Sequence, residues 1–402
     1  MRFSKLVIPG ILMIAMTYGL GRFSFGLFLP DISQDLSLTP TQAGLISSLF
    51  YLSYCFSIIF ATFKTDKVGP KNMIMAAGLS VLIGLILIGI SPNLMILALG
   101  VLFAGASTGF VSPPYGYVIS LWIKLEEQSK ANTWINSGTS IGLMLAGVTA
   151  MIAFLDWRTM YLSYAVLALI MLVWNFIIIP SLNQPLEIYT GSFNLLDVKN
   201  GSRIALASTL LGIATAPFWT FSKSFVQATD LYTNFQLSIF WILIGVFGII
   251  GGVSGNIIEQ KGIRFAYNLG VIAISAASIL LALAQLLWIT PFIASSLFGI
   301  SYIFLTGVLM VWGIRVYVRN ASIGIGIPFL LLAVGQVIGS ILAGPLIVFL
   351  NYKATFVVFG LISLSALWIY PKFKLKDNPV PEAEYSKLQE DNKHVLKDFE
   401  EE

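Results

Sequence analysis

Two cations stand inside long apolar runs, Arg22 in the first and Lys223 in the seventh. A charge at the centre of a membrane helix costs about 2.5 to 3.5 kcal/mol on insertion scales, so such residues usually face a cavity or a partner. The planar guanidinium of Arg22 could grip a carboxylate or phosphate through two parallel hydrogen bonds, with the Lys223 ammonium as a second point charge. The competing structural readings are that Arg22 ties down helix carbonyls and that Lys223 snorkels to the interface from a helix end. Carboxylates are missing from the middle of every run. Asp31, Asp156 and Asp230 fall at run ends, and Glu126 and Glu127 fall in a loop. Coupling would then use Asp31 or Asp230, a proton carried with an anionic substrate, or exchange against a counter-anion. A cavity without carboxylates also argues against desolvated cationic drugs, which need a negative partner.

Other chemistries are excluded by residue inventory. The single cysteine, Cys55, lies in an apolar run, and the single histidine, His394, lies in a polar tail. Neither a disulfide within the chain nor a Cys/His metal site can be built from them. Gly105-Ala-Ser107-Thr-Gly109 matches the spacing of a serine nucleophile elbow, but it sits in an apolar run far from that histidine. No phosphate-loop lysine motif and no basic nucleic-acid face are present. The expectation is a non-enzymatic protein without catalytic residues, cofactor, metal or nucleic-acid partner.

The elements that position Arg22 and Lys223 follow from composition. Of the 402 residues 57% are hydrophobic and only 10% charged, and the mean hydropathy is +0.87. An average soluble chain carries about 25% charged residues. The apolar residues fall in runs near the ~20 residues that cross a bilayer as a helix, not in the alternating ~10-residue segments of a membrane barrel. The expectation is an all-α integral membrane protein of about twelve spans. Six lie near residues 6–29, 41–63, 72–90, 94–123, 131–155 and 159–179, and six near 203–226, 235–258, 265–287, 291–318, 323–350 and 354–370. Pro30 and Asp31 are expected to end the first span, and Thr39-Pro40 to cap and open the second. Residues 1–180 and 203–371 then form two six-helix bundles joined by a polar linker, 181–202, and followed by a charged tail, 372–402. Lys and Arg crowd alternate loops, which predicts that both termini and the turn at Asp66 are cytoplasmic in the cell membrane.

The two bundles are repeats of each other. The turn holding Asp66, Lys67, Gly69 and Lys71 recurs as Glu259, Gly262 and Arg264, displaced by 193 residues. Gly138, Gly142 and Gly147 recur as Gly335, Gly339 and Gly344, and Asp156-Trp157-Arg158 recurs as Asn351-Tyr352-Lys353. A repeat of half the chain sets the architecture before any other feature does. It predicts two pseudo-symmetric six-helix halves, as in one class of transporters.

These turns resemble the cytoplasmic signature of the major facilitator superfamily, Gly-x-Leu-Ala-Asp-Arg-x-Gly-Arg-Lys. Asp66, Lys67, Gly69 and Lys71 match it, while Thr62, Lys64 and Pro70 depart from it. The second copy, from Gly255 to Arg264, matches more closely. The resemblance implies a secondary transporter working by alternating access, with these turns bracing the cytoplasmic helix ends. It also implies a central cavity lined by the first and seventh helices, where some members hold an organic anion between two cations. Tyr18, Tyr115, Tyr117, Asn136, Trp219, Tyr302 and Gln336 lie on helices that would face that cavity. Val101 stands where many proton-coupled members carry an arginine, and Val148 where antiporters carry a proline. The expected function is movement of a small solute, first an organic anion, by a monomer in the bilayer. A multidrug or amphipath exporter of the same fold, and a non-transporting sensor or scaffold, are the alternatives.

Overall fold

The computed structural model describes residues 3–152, 156–181, 201–317 and 321–372. The predicted linker, 181–202, and the tail, 372–402, therefore lie almost wholly outside the described residues. Twelve helical segments are described: α1 Phe3–Asp35, α2 Pro40–Val68, α3 Pro70–Gly89, α4 Leu94–Trp122, α5 Leu125–Ala150, α6 Trp157–Ile178, α7 Gly201–Gln227, α8 Asn234–Lys261, α9 Ile263–Leu281, α10 Thr290–Val316, α11 Ala321–Phe349 and α12 Tyr352–Trp368. Ten of them are long and apolar enough to cross a membrane, α11 from Gly324 onward. The other two fall short for different reasons: α12 is shorter, and α5 carries Asn132, Asn136 and other polar residues.

Several boundaries differ from expectation. Pro30 does not end α1, which runs on to Asp35. A proline in a helix forfeits one bond, here to the carbonyl of Gly26, and the turns on either side are otherwise complete. The charged turns are also tighter than expected. Asp66 and Glu259 belong to the last turns of α2 and α8, and a single glycine, Gly69 or Gly262, separates each from the next helix. Gly69 has φ 87° and ψ 139°, and Gly262 has φ 85° and ψ 157°. Only glycine adopts that backbone without strain, so the corner requires it.

The repeat extends to details of capping. Thr39 with Gln42 and Thr233 with Gln236 form reciprocal capping boxes at the starts of α2 and α8. Each such cap is worth about 1 kcal/mol. Asp156 caps α6 through the Thr159 N–H at 2.7 Å. Asn351 caps α12 through the Ala354 N–H at 2.9 Å.

Within the halves, helices approach closely through small residues, the usual means of packing where lipid offers no hydrophobic drive. Gly19 of α1 lies against Gly142 of α5, and Gly212 of α7 lies against Gly335 of α11. The halves meet along three pairings: α2 with α11, α5 with α8, and the later part of α1 with α7.

Candidate functional site

Arg22 sits in a π-helical stretch, Ala15–Phe23, within α1. Such wide turns are rare and recur at functional sites, because they swing a side chain out of the ordinary helical register. The side chain is 6% exposed. Its guanidinium lies over the rings of Tyr51 at 4.5 Å, Tyr54 at 5.1 Å and Phe23 at 5.1 Å. Nη2 donates to Oε1 of Gln336 on α11 at 3.0 Å. Nε has no hydrogen-bond partner among the described residues. Among the described residues no carboxylate lies within ion-pair distance of Arg22, since the two ion pairs present involve Arg158 and Lys223.

Gln336 continues the network, donating from Nε2 to the hydroxyl of Tyr302 on α10 at 3.2 Å. The Tyr302 ring meets Trp219 of α7 edge-on at 5.0 Å, and Trp219 stacks on Phe23 at 4.1 Å. Trp219 Nε1 is buried without a partner among the described residues. Arg22, Gln336, Tyr302 and Trp219, four of the expected cavity residues, thus form one cluster, with the Tyr18 ring 6.4 Å from Phe23 at its edge. The Tyr18 hydroxyl bonds to the Thr108 carbonyl at 3.1 Å and Ser112 Oγ at 3.0 Å, which ties α1 to α4.

The expected two-cation grip is not formed. Lys223 Nζ pairs with Asp31 Oδ2 at 3.4 Å. Asp31 lies nine residues beyond Arg22 along α1, about 13 Å at 1.5 Å per residue. Lys223 is 8% exposed, so it holds the end of α1 to α7 and does not share the Arg22 cluster. Tyr115 is likewise elsewhere. It donates to Asn175 Oδ1, and Asn175 Nδ2 reaches the Pro9 carbonyl at 3.3 Å, locking α4, α6 and α1 together. Tyr51 and Tyr54 belong to the cluster and were missed by sequence reasoning. Their spacing of three on α2 puts both on one helical face, the signal available in the sequence.

At the Asp31 end the halves are joined. Ser47 Oγ of α2 and Thr220 Oγ1 of α7 are 2.7 Å apart, and Gly26 of α1 packs on the Trp219 carbonyl. A cavity of about 320 Å³ remains at this end, lined by Pro30, Ser33, Leu38, Ser224, Gln227 and Asp230 among others. Arg158 holds Asp35 at 2.8 Å and also reaches the Ser91 carbonyl.

Toward the Asp66 end helices of both halves border open space. Ser140 of α5 meets Gly248 of α8, and Met144 meets Gly245. One to two turns further on, Gly252 and Gly255 have nothing within 4 Å of where a Cβ would sit, and the same holds for Gly116 of α4 and Gly326 of α11. On α5, Gly138 and Gly142 face α1 and Ser140 and Met144 face α8, while Trp134, Leu145 and Val148 are exposed apolar residues on a third side. At 100° per residue, exposed Asn136 and its partner Asn132 occupy the remaining face. Asn136 therefore lies on an exposed face of α5 and outside the Arg22 cluster.

The signature turns sit at this open end. Asp66 accepts the Lys67 N–H at 2.9 Å, and Glu259 is exposed. Neither forms an ion pair among the described residues. Their following cations do hold partners. Lys71 Nζ lies 4.5 Å from the Phe176 ring of α6, and Arg264 Cζ lies 3.7 Å from the Tyr370 ring just past α12. Each turn thus fastens the third helix of its half to the sixth by a cation over a ring.

Comparison with known proteins agrees with this arrangement. The nucleoside transporter NupG, in the crystal structure of a point mutant, superposes with a TM-score of 0.76 at 13% identity, covering 90% of this chain and 98% of that one. That likeness shows the fold. The transcription regulatory protein OpdE of Pseudomonas aeruginosa is 24% identical over 357 residues, 85% of this chain and 87% of that protein. The phosphoglycerate transporter protein of Salmonella typhimurium is 30% identical over 129 residues, 32% of this chain and 27% of that protein. The profile of the Major Facilitator Superfamily matches residues 11–327. With twelve helices among its described residues, arranged in two repeated halves, the chain is a multi-pass membrane protein that belongs to the Major Facilitator Superfamily of transporters.

Proposed function

We propose that the protein is a secondary carrier that moves a small organic anion by alternating access, with Arg22 holding the negative group. The observation that carries this reading is a buried guanidinium at the meeting of both halves, partnered by an amide and not by a carboxylate. An unpaired Nε beside it is a donor in want of an acceptor. A buried cation left with so few partners is costly, and an anion repays that cost on binding. The partial relative named for phosphoglycerate supports an anion as the substrate and does not fix its charge.

On this reading residues 1–180 and 203–371 are the rocking halves, joined by 181–202, and the protein works as a monomer. Both termini and the Asp66 turns face the cytoplasm of a cell membrane, following the Lys/Arg bias of the loops. The described conformation is then open to the cytoplasm and closed by Ser47, Thr220, Lys223 and Asp31. Coupling uses a proton carried with the substrate or exchange of one anion for another. The measurement is a thermal-shift screen of the purified protein against carboxylates, phosphates and neutral amphipaths, repeated with Arg22→Ala. Anions should raise the melting temperature of the parent and leave the variant unmoved. Equal shifts in both proteins would sink the anion reading and favour an amphipath exporter.

A second reading rests on the relative named as a transcription regulatory protein. The chain would then sense a ligand without moving it. Uptake into liposomes separates the two, since a sensor binds without accumulation.

A further inference from the structure

We infer that the ligand held at Arg22 carries a single negative charge on a flat apolar body, as an aromatic monocarboxylate or monosulfonate does, and that dianions are disfavoured. The inference rests on the reading of Arg22 as an anion site and adds the charge and shape of its ligand. It follows from a count of buried charge. Among the described residues Arg22 and Lys223 are the buried charged side chains. Asp31 already neutralises Lys223, so the centre of the molecule holds one net positive charge.

Closure of the halves around a ligand removes water, and the cost of that step depends on the net charge enclosed. A monoanion on Arg22 makes the centre neutral. A dianion makes it carry one negative charge, with no second cation to answer it, because Lys223 is already paired with Asp31, nine residues and about 13 Å beyond Arg22 along α1. The partner exchange is also one for one. Gln336 Oε1 accepts from Nη2, and one carboxylate can replace that oxygen while its second oxygen takes the free Nε.

The walls set the shape. Tyr51, Tyr54 and Phe23 lie against the guanidinium, and Trp219 and Tyr302 lie beyond. Trp219 Nε1 is a further buried N–H in this cluster without a partner among the described residues. Rings offer faces and edges to a planar ligand and little to a hydrated polyol.

The experiment is equilibrium binding to the purified full chain at neutral pH, with benzoate, phthalate, benzamide, succinate and methyl phosphate as probes. Benzoate should bind at least tenfold more tightly than phthalate, succinate and methyl phosphate. In Arg22→Gln, checked for intact folding by its melting curve, benzoate should lose its advantage over benzamide. Phthalate or methyl phosphate binding as tightly as benzoate overturns the charge count while leaving Arg22 as an anion site. Binding of none of the anions, or an unchanged benzoate preference in Arg22→Gln, overturns both the count and the underlying reading.

Discussion

Arg22 on α1 donates to Gln336 on α11 at 3.0 Å, so one hydrogen bond between side chains joins the two halves at their centre. Hydrogen bonds to charged groups contribute about 1.5 to 3 kcal/mol. Gln336→Leu should lower stability by about 2 kcal/mol on that basis, read as a lower melting temperature. Gln336→Glu should do the opposite, supplying a carboxylate that neutralises Arg22. It should raise the melting temperature and abolish anion binding. Anion binding that survives in Gln336→Glu would separate the ligand from this arginine.

The pair formed by Lys223 and Asp31 closes the same end that Ser47 and Thr220 hold. Removing one partner of a buried pair costs about 3 to 5 kcal/mol. The Asp31 side chain is 45% exposed, which reduces the expected loss for Asp31→Asn to about 1 to 2 kcal/mol. Lys223→Met in the same chain should restore most of it. A double variant as unstable as the sum of the singles would show that the two groups act independently.

Gly19 and Gly142 bring the backbones of α1 and α5 into contact. A Cβ on Gly19 would run into the Gly142 backbone, so Gly19→Ala should cost about 1 to 3 kcal/mol. At Gly116 nothing lies within 4 Å, and alanine there should be neutral or stabilising by about 0.5 kcal/mol. Melting curves of the two variants distinguish packing from open space. Equal losses would contradict the open space seen at the Asp66 end.

Asp156 caps α6 outside the membrane-spanning run. Hydrogen bonds from the Thr159 side chain and backbone N–H hold its carboxyl below the ordinary carboxylate range. A depressed value in the folded state contributes stability that is fully present above the unfolded carboxyl range. That contribution is lost as the pH falls through the folded value. Asp156→Ala should cost about 1 kcal/mol near neutrality. Asp156→Asn should keep the cap and flatten the acid limb of the melting profile, and an unchanged acid limb would remove this group from the account.

What the sequence made legible was whatever repeats or carries charge. Thr39-Pro40 starts a helix as expected, and the turns at Asp66 and Glu259 mark equivalent corners. Arg22 was conspicuous because hydrocarbon tolerates few charges. The role of Lys223 was not legible, because its partner is set by where α1 ends, and Pro30 suggested an earlier stop. Tyr115 and Asn136 are on the right helices but the wrong faces for the Arg22 cluster. Tyr51 and Tyr54 were overlooked because a tyrosine in an apolar run usually packs, and the cation that meets these rings comes from a different helix.

That wide turn has a mechanical side. A π stretch accommodates an extra residue, and an α-helix that loses it turns by about 100° about its axis. Arg22 lies at the end of Ala15–Phe23 and Asp31 lies beyond it. A slip of the stretch back into α register would rotate both residues together against α7 and α11. Gln336 and Lys223 would lose their partners in a single motion, and the segment would then act as a crank linking the centre of the molecule to the Asp31 end.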